Sequence, residues 1–293
     1  MIIGIIGLGH MGSEMAKHLL KAGHTLMVND IAKQAVDRLV SEGAKATENI
    51  SEMAARADVV ITMVQTSQQV SDLCMSSNGI FQHAKNGLLY IDCSSIDVAM
   101  TRHLHEEAAM RHIHMLDAPV SGGVAGAEAG TLTFMVGGDV KSFGLAEPIL
   151  KVMGRKIIHA GPAGSGQAAK ICNNLILGIS MIAVSEGFTL AKKLGLDQKK
   201  FFEISSNASG QCWSMVSNCP APGILDNVPS SHDYQAGFMA KMMLKDLRLA
   251  HHAAEAVDAA IPLGAVATEL YELFVNQGNG ELDFSGIIKL IST

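Results

Sequence analysis

Ile2-Ile3-Gly4-Ile5-Ile6-Gly7-Leu8-Gly9-His10-Met11-Gly12 decides how the rest of the chain is read. Ile2 to Ile6 is an apolar run of strand length. The six residues after it spell Gly-x-Gly-x-x-Gly and lead into a helical pattern, Ser13 to Ala22, that stops at Gly23. A glycine turn between strand and helix aims backbone N–H groups and the positive end of the helix dipole at one point, which suits a pyrophosphate. The first glycine makes the turn, the second lets the backbone approach a ligand, and the third lets the helix pack on the strand. The next apolar run, Thr25 to Asn29, ends at Asp30, about 20 residues past the glycines, where a carboxylate accepts hydrogen bonds from ribose hydroxyls. That carboxylate repels a 2′-phosphate, and the nearest basic group is Lys33. NAD rather than NADP is therefore expected. Taken alone, Asp30 is also a residue that starts a turn or caps the helical pattern Gln34 to Glu42.

Outward from this turn, apolar runs alternate with amphipathic stretches, predicting strands at Ile2–Ile6, Thr25–Asn29, Val59–Val64, Leu88–Ile91, His114–Ala118, Thr133–Val136 and Lys156–His159. The expected fold is α/β: a Rossmann-like N-terminal domain with a mostly parallel sheet, then an all-α C-terminal domain. The cluster Gly161-Pro162-Ala163-Gly164-Ser165-Gly166 marks the junction, giving domains at 1–162 and 163–293. The first helical stretch beyond it, Gly166 to Lys193, is apolar on most of its surface and is expected to be buried among neighbours or against a second subunit. Its uncharged core, Ile171 to Ser185, is shorter than the roughly 20 residues of a membrane span, and no membrane role is expected.

Composition narrows the function. The 293 residues are 48% apolar and carry a formal charge of −6 without a basic block, so nucleic acid is not an expected partner. Five cysteines without Cys-x-x-Cys spacing read as reduced thiols, and Met1 runs directly into a strand; a cytoplasmic protein is expected. His103, His105, His112 and His114 lack accompanying acidic ligands, and no metal site is expected.

Lys170 is the only charged side chain in a long apolar stretch, and an apolar cleft lowers a lysine pKa towards working pH, as proton transfer to or from an alcohol requires. Asn174, four residues on, shares its helix face and can orient the lysine or a substrate hydroxyl. The alternative is an exposed lysine beside a packed amide. Ser121-Gly122-Gly123 offers a hydroxyl and successive backbone N–H groups for a carboxylate, or forms a plain turn after a strand. Ser95 follows the Leu88–Ile91 strand, where loops face a bound cofactor.

Ile6 to Gly12, Asp117-Ala118-Pro119-Val120-Ser121-Gly122-Gly123, Gly166 to Asn174 and Lys245-Asp246-Leu247 together resemble four motifs of the β-hydroxyacid dehydrogenase family. Gln211 to Ser214, Pro222-Gly223, Val228 to Ser230 and Tyr234 to Phe238 are similar to the C-terminal domain of its members that oxidise 3-hydroxyisobutyrate to methylmalonate semialdehyde. The resemblance implies hydride transfer between NAD and a small 3-hydroxy acid, and a homodimer or homotetramer. A sister activity on tartronate semialdehyde or serine is the alternative. It implies catalytic roles for Lys170 and Asn174. Substrate contacts would come from Ser121, Gly122, Gly123, Lys245, Asp246, Trp213 and Phe238. Cofactor contacts would come from Gly7, Leu8, Gly9, His10, Met11, Gly12, Asp30, Val64, Gln65, Gln69, Ser95 and Lys245. An ion pair on a helix surface is the other reading of Lys245 and Asp246, and core packing that of Trp213 and Phe238.

Overall fold

A computed structural model of the chain describes residues 1–292. It divides into two compact units, Met1–Lys170 and Ile171–Thr293.

The first unit is built on nine strands: β1 (Ile2–Ile6), β2 (Thr25–Asn29), β3 (Lys45–Ala46), β4 (Val59–Thr62), β5 (Leu89–Asp92), β6 (His114–Asp117), β7 (Val120–Ser121), β8 (Leu132–Gly137) and β9 (Gly154–Gly161). Their order is β3-β2-β1-β4-β5-β6-β8-β7, with β9 on β8. All neighbours from β3 to β6 run parallel, as do β8 and β9; β8 runs antiparallel to β6 and β7. This is a Rossmann-like sheet. Its order reverses at β1, flanked by β2 and β4, so the glycine turn leaves the sheet where such folds open a ligand crevice.

The alternation along each strand feeds two cores. Ile3, Ile5, Val59, Ile61, Leu89 and Ile91 enter one face, and Val60, Tyr90 and Met115 the other, as expected of strands covered on both sides.

Several boundaries differ from those expected. β4 stops at Thr62 instead of Val64, because the Val64 N–H leaves the ladder and donates to Ser94 Oγ at 3.0 Å. β3 and β7 were not expected: two residues carry no periodicity. The first helix begins at His10 rather than Ser13, since the Ser13 N–H already donates to the Gly9 carbonyl, leaving no spacer after the turn.

Among the described residues the second unit's elements are helices, with one isolated antiparallel bridge between Met239 and Asp283. The helix Ser165–Lys193 starts in the first unit and runs on into it, followed by Gln198–Ser205, Trp213–Val216, Ala240–Glu255 and Pro262–Phe274. Met181, Met243, Leu247, Tyr271 and Phe274 build its main core. By length and composition Ser165–Lys193 could cross a membrane. Within the single chain it is buried on one side only. Gly178, Met181, Val184, Ser185, Phe188 and Ala191 form a buried stripe at helical spacing, while Ile176 and Leu190 on the other side are 68% and 60% exposed.

Candidate active site

The glycine turn is shaped by contacts its sequence foreshadows. Gly7 has φ +94°, and a Cβ there would strike the Met63 carbonyl. A Cβ on Gly12 would strike the Gly7 carbonyl, so this glycine is required by helix-on-strand packing. A Cβ on Gly9 would meet nothing within 4 Å: here the backbone borders open space, the cradle a pyrophosphate needs.

Asp30 closes the turn from the end of β2. Its Oδ2 accepts the Leu8 N–H at 2.5 Å and its Oδ1 the Ala32 N–H at 2.7 Å. Its local alternative, starting a turn, is what these bonds show: the carboxylate shapes the glycine turn from its rim. Leu8 is buried and Met11 packs against the same core, so these two serve the turn through packing, while His10 is exposed.

Three other expected cofactor residues sort by their hydrogen bonds. The Val64 N–H is committed to Ser94. Gln69 is committed to its own helix: its Oε1 accepts the N–H groups of Gln65 and Thr66, and its own N–H donates to Thr66 Oγ1, a capping box. Cofactor contact through that amide oxygen is corrected to a structural role. Gln65 is exposed on the same segment.

Lys170 is 8% exposed, and its Nζ donates to the Val120 carbonyl at 2.9 Å. The surface-lysine alternative falls. The amine stands one residue before Ser121-Gly122-Gly123, where Gly122 and Gly123 have φ of +137° and +63°.

In the second unit Asn174 is buried, its Nδ2 donating to Asp246 Oδ2 at 2.5 Å and its Oδ1 accepting from Asn173 at 3.0 Å. Asp246 is 3% exposed, and its Oδ1 has no hydrogen-bond partner but lies 3.6 Å from Lys245 Nζ. One oxygen of Asp246 thus holds the Asn174 amide. Phe238 is half-buried, edge-on to Phe284. Trp213 is 54% exposed at the start of a four-residue helix.

Residues 2–161 match the family described as the NAD binding domain of 6-phosphogluconate dehydrogenase, and residues 164–291 that described as NAD-binding of NADP-dependent 3-hydroxyisobutyrate dehydrogenase. An NAD-dependent L-serine dehydrogenase of Pseudomonas aeruginosa is 47% identical over 288 residues, 98% of this chain and 97% of the relative. A 3-hydroxyisobutyrate dehydrogenase of the same organism is 44% identical over 291 residues, 98% and 97% of the two chains. The chain belongs to the β-hydroxyacid dehydrogenase family. A solved β-hydroxyacid dehydrogenase, the 3-hydroxyisobutyrate dehydrogenase of Mycobacterium tuberculosis with L-serine, superimposes with a TM-score of 0.94 at 41% identity, covering 100% of this chain and 99% of that one.

As a β-hydroxyacid dehydrogenase the chain takes a nicotinamide dinucleotide, and the open face at Gly9 with Asp30 beside it fits one. The motifs leave several buried polar groups without a task. Asp117 Oδ1 accepts from His105 Nε2 and from the Gly164 N–H, each at 2.9 Å, and its Oδ2 accepts the Gln167 N–H at 3.0 Å. Asp92 Oδ1 accepts from Thr62 Oγ1 and the Ser94 N–H, while Oδ2 has no partner. Burial raises the Asp92 pKa to about 6 against the pull of its Ser94 and Thr62 hydrogen bonds. An acid as the last residue of a short, mostly buried strand, as both are, was the available signal.

Proposed function

We propose that this β-hydroxyacid dehydrogenase oxidises 3-hydroxyisobutyrate to methylmalonate semialdehyde with NAD, Lys170 accepting the hydroxyl proton. The observation that carries the reading is the buried amine of Lys170 on the Val120 carbonyl, next to the glycine pair after Ser121. One Nζ hydrogen given to Val120 restricts where the lone pair of the neutral amine can point. Ser121-Gly122-Gly123 takes the carboxylate through its hydroxyl and backbone N–H groups, leaving the substrate's hydroxyl for the amine. In the second unit the Asn174 amide, held by Asp246, keeps the orienting role that its motif implies. When bound, the nicotinamide ring supplies the hydride acceptor. Asp30 favours NAD, since a 2′-phosphate at the rim of the turn would face a carboxylate.

L-serine is the second reading, favoured by the serine dehydrogenase relative and by the serine in the Mycobacterium tuberculosis structure. The two acids differ at C2, methyl against ammonium. A pocket that offers the ammonium no acceptor would disfavour serine by a factor of at least about ten. Initial rates with both acids and with glycerate, using NAD and NADP, test the reading; a higher kcat/KM for serine overturns the substrate assignment. The homo-oligomer expected from sequence remains part of the proposal. It is supported by the exposed Ile176, Leu190, Leu194 and Ile204 of the second unit, and light scattering behind gel filtration measures it.

A further inference from the structure

Three segments of the first unit converge on two buried side chains, Asp117 and Gln167. The first is the loop that carries Ser95, after β5. The second is the 117–123 segment with its carboxylate cradle. The third is the start of the helix that bears Lys170.

Gln167 is wholly buried, three residues before Lys170. Its Nε2 donates to the Ser94 carbonyl at 2.7 Å and its Oε1 accepts the Ile96 N–H at 3.1 Å. One amide thus grips the peptide groups on both sides of Ser95. Its backbone N–H donates to Asp117 Oδ2, and the Gly164 N–H to Asp117 Oδ1, so the same turn of helix is fastened to the first residue of the 117–123 segment. Lys170 Nζ on the Val120 carbonyl closes the circuit. A leucine or methionine would fill this space as well; an amide with both ends engaged by a loop it does not belong to fixes a distance.

We propose that Gln167 is a positioning residue, holding the Ser95 loop and the Lys170 amine in one frame so that cofactor and proton acceptor keep their spacing during hydride transfer. This rests on the NAD-linked reading above but not on which acid is oxidised. A displacement of about 1 Å in such a frame costs about 10²-fold in turnover.

Two variants test it. Gln167→Met keeps the volume and removes both bonds. The expected results are a kcat at least about tenfold lower, an NADH dissociation constant by fluorescence titration near that of the parent, and faster amide exchange at Ile96. Gln167→Glu restores the frame only when protonated, its carbonyl accepting from Ile96 and its O–H donating to Ser94. Its kcat relative to the parent should therefore fall as pH rises, with circular dichroism constant over the range. Asp117, Lys170 and, through Ser94, Asp92 face position 167 in both proteins, so the ratio to the parent separates their titrations from that of the new acid.

A parent-like kcat in Gln167→Met, a Gln167→Glu ratio flat in pH, or unchanged exchange at Ile96 overturns the proposal. Failure of the functional reading is distinct: the parent then oxidises none of the acids, while exchange at Ile96 still decides whether Gln167 holds the loop.

Discussion

Asp92 and Asp117 are register partners at the ends of neighbouring parallel strands, both wholly buried, yet every oxygen of Asp117 is engaged while one oxygen of Asp92 has no partner. The difference comes from what faces each. Asp117 meets backbone N–H groups at a helix start and an imidazole, whereas Asp92 meets a threonine hydroxyl and a single N–H and lies next to the charge of Asp117.

This asymmetry makes stability depend on pH through Asp92. Burial raises its pKa from 3.8 to about 6, so the folded chain holds this proton more tightly than the unfolded one. The contribution is complete below pH 3.8 and is lost as pH rises through about 6. The shift corresponds to a contribution on the order of 3 kcal/mol. Urea midpoints across that window should fall less steeply with pH for Asp92→Asn than for the parent; parallel profiles would remove Asp92 as the cause.

Lys170→Met retains the length of the side chain without its amine. Turnover should fall by about 10³-fold, in the range of a lost general base. NADH affinity should stay within a few-fold, because the glycine turn and Asp30 are untouched. Titration of NADH fluorescence beside steady-state rates checks both halves of this expectation.

Two glycines of the turn should fail in opposite ways. Gly12→Ala forces a methyl onto the Gly7 carbonyl and should lower stability by about 1–3 kcal/mol. Gly9→Ala places its methyl in open space, so the melting temperature should hold while NAD affinity drops. Thermal melts and binding titrations on both variants would expose a reversed pattern.

Asp30→Ala removes the acceptor of the Leu8 N–H together with the charge at the rim. The kcat/KM for NAD should fall about tenfold or more, in line with one lost charge-assisted hydrogen bond. That for NADP should fall less or rise. An unchanged ratio between the two cofactors would confine Asp30 to shaping the turn.

Much of this is legible in the sequence. β1 and β2 fall where their apolar cores, Ile2–Ile6 and Leu26 to Val28, predict, because a parallel sheet covered on both faces buries such runs. The family motifs also led to Lys170. Their weakness was partners: the Thr66-x-x-Gln69 spacing of a capping box was legible but unused, and nothing local in the sequence says that Asp246 holds Asn174 from 72 residues away or that Gln167 reaches Ser94. Long-range hydrogen bonds leave no periodicity behind. The two-residue strands were missed for the same reason, being fixed by their neighbours rather than by their own composition.

The three-residue interval between Gln167 and Lys170 also limits how this segment tolerates changes of length. Each helical residue adds a rotation of about 100° and a rise of about 1.5 Å. One alanine inserted between them would leave both side chains chemically intact and swing the amine away from the Val120 carbonyl while the amide still faced Ser94. Conservative replacements here alter a contact; a single added or deleted residue dismantles the geometry, so homologues should vary in letters along this stretch but never in count.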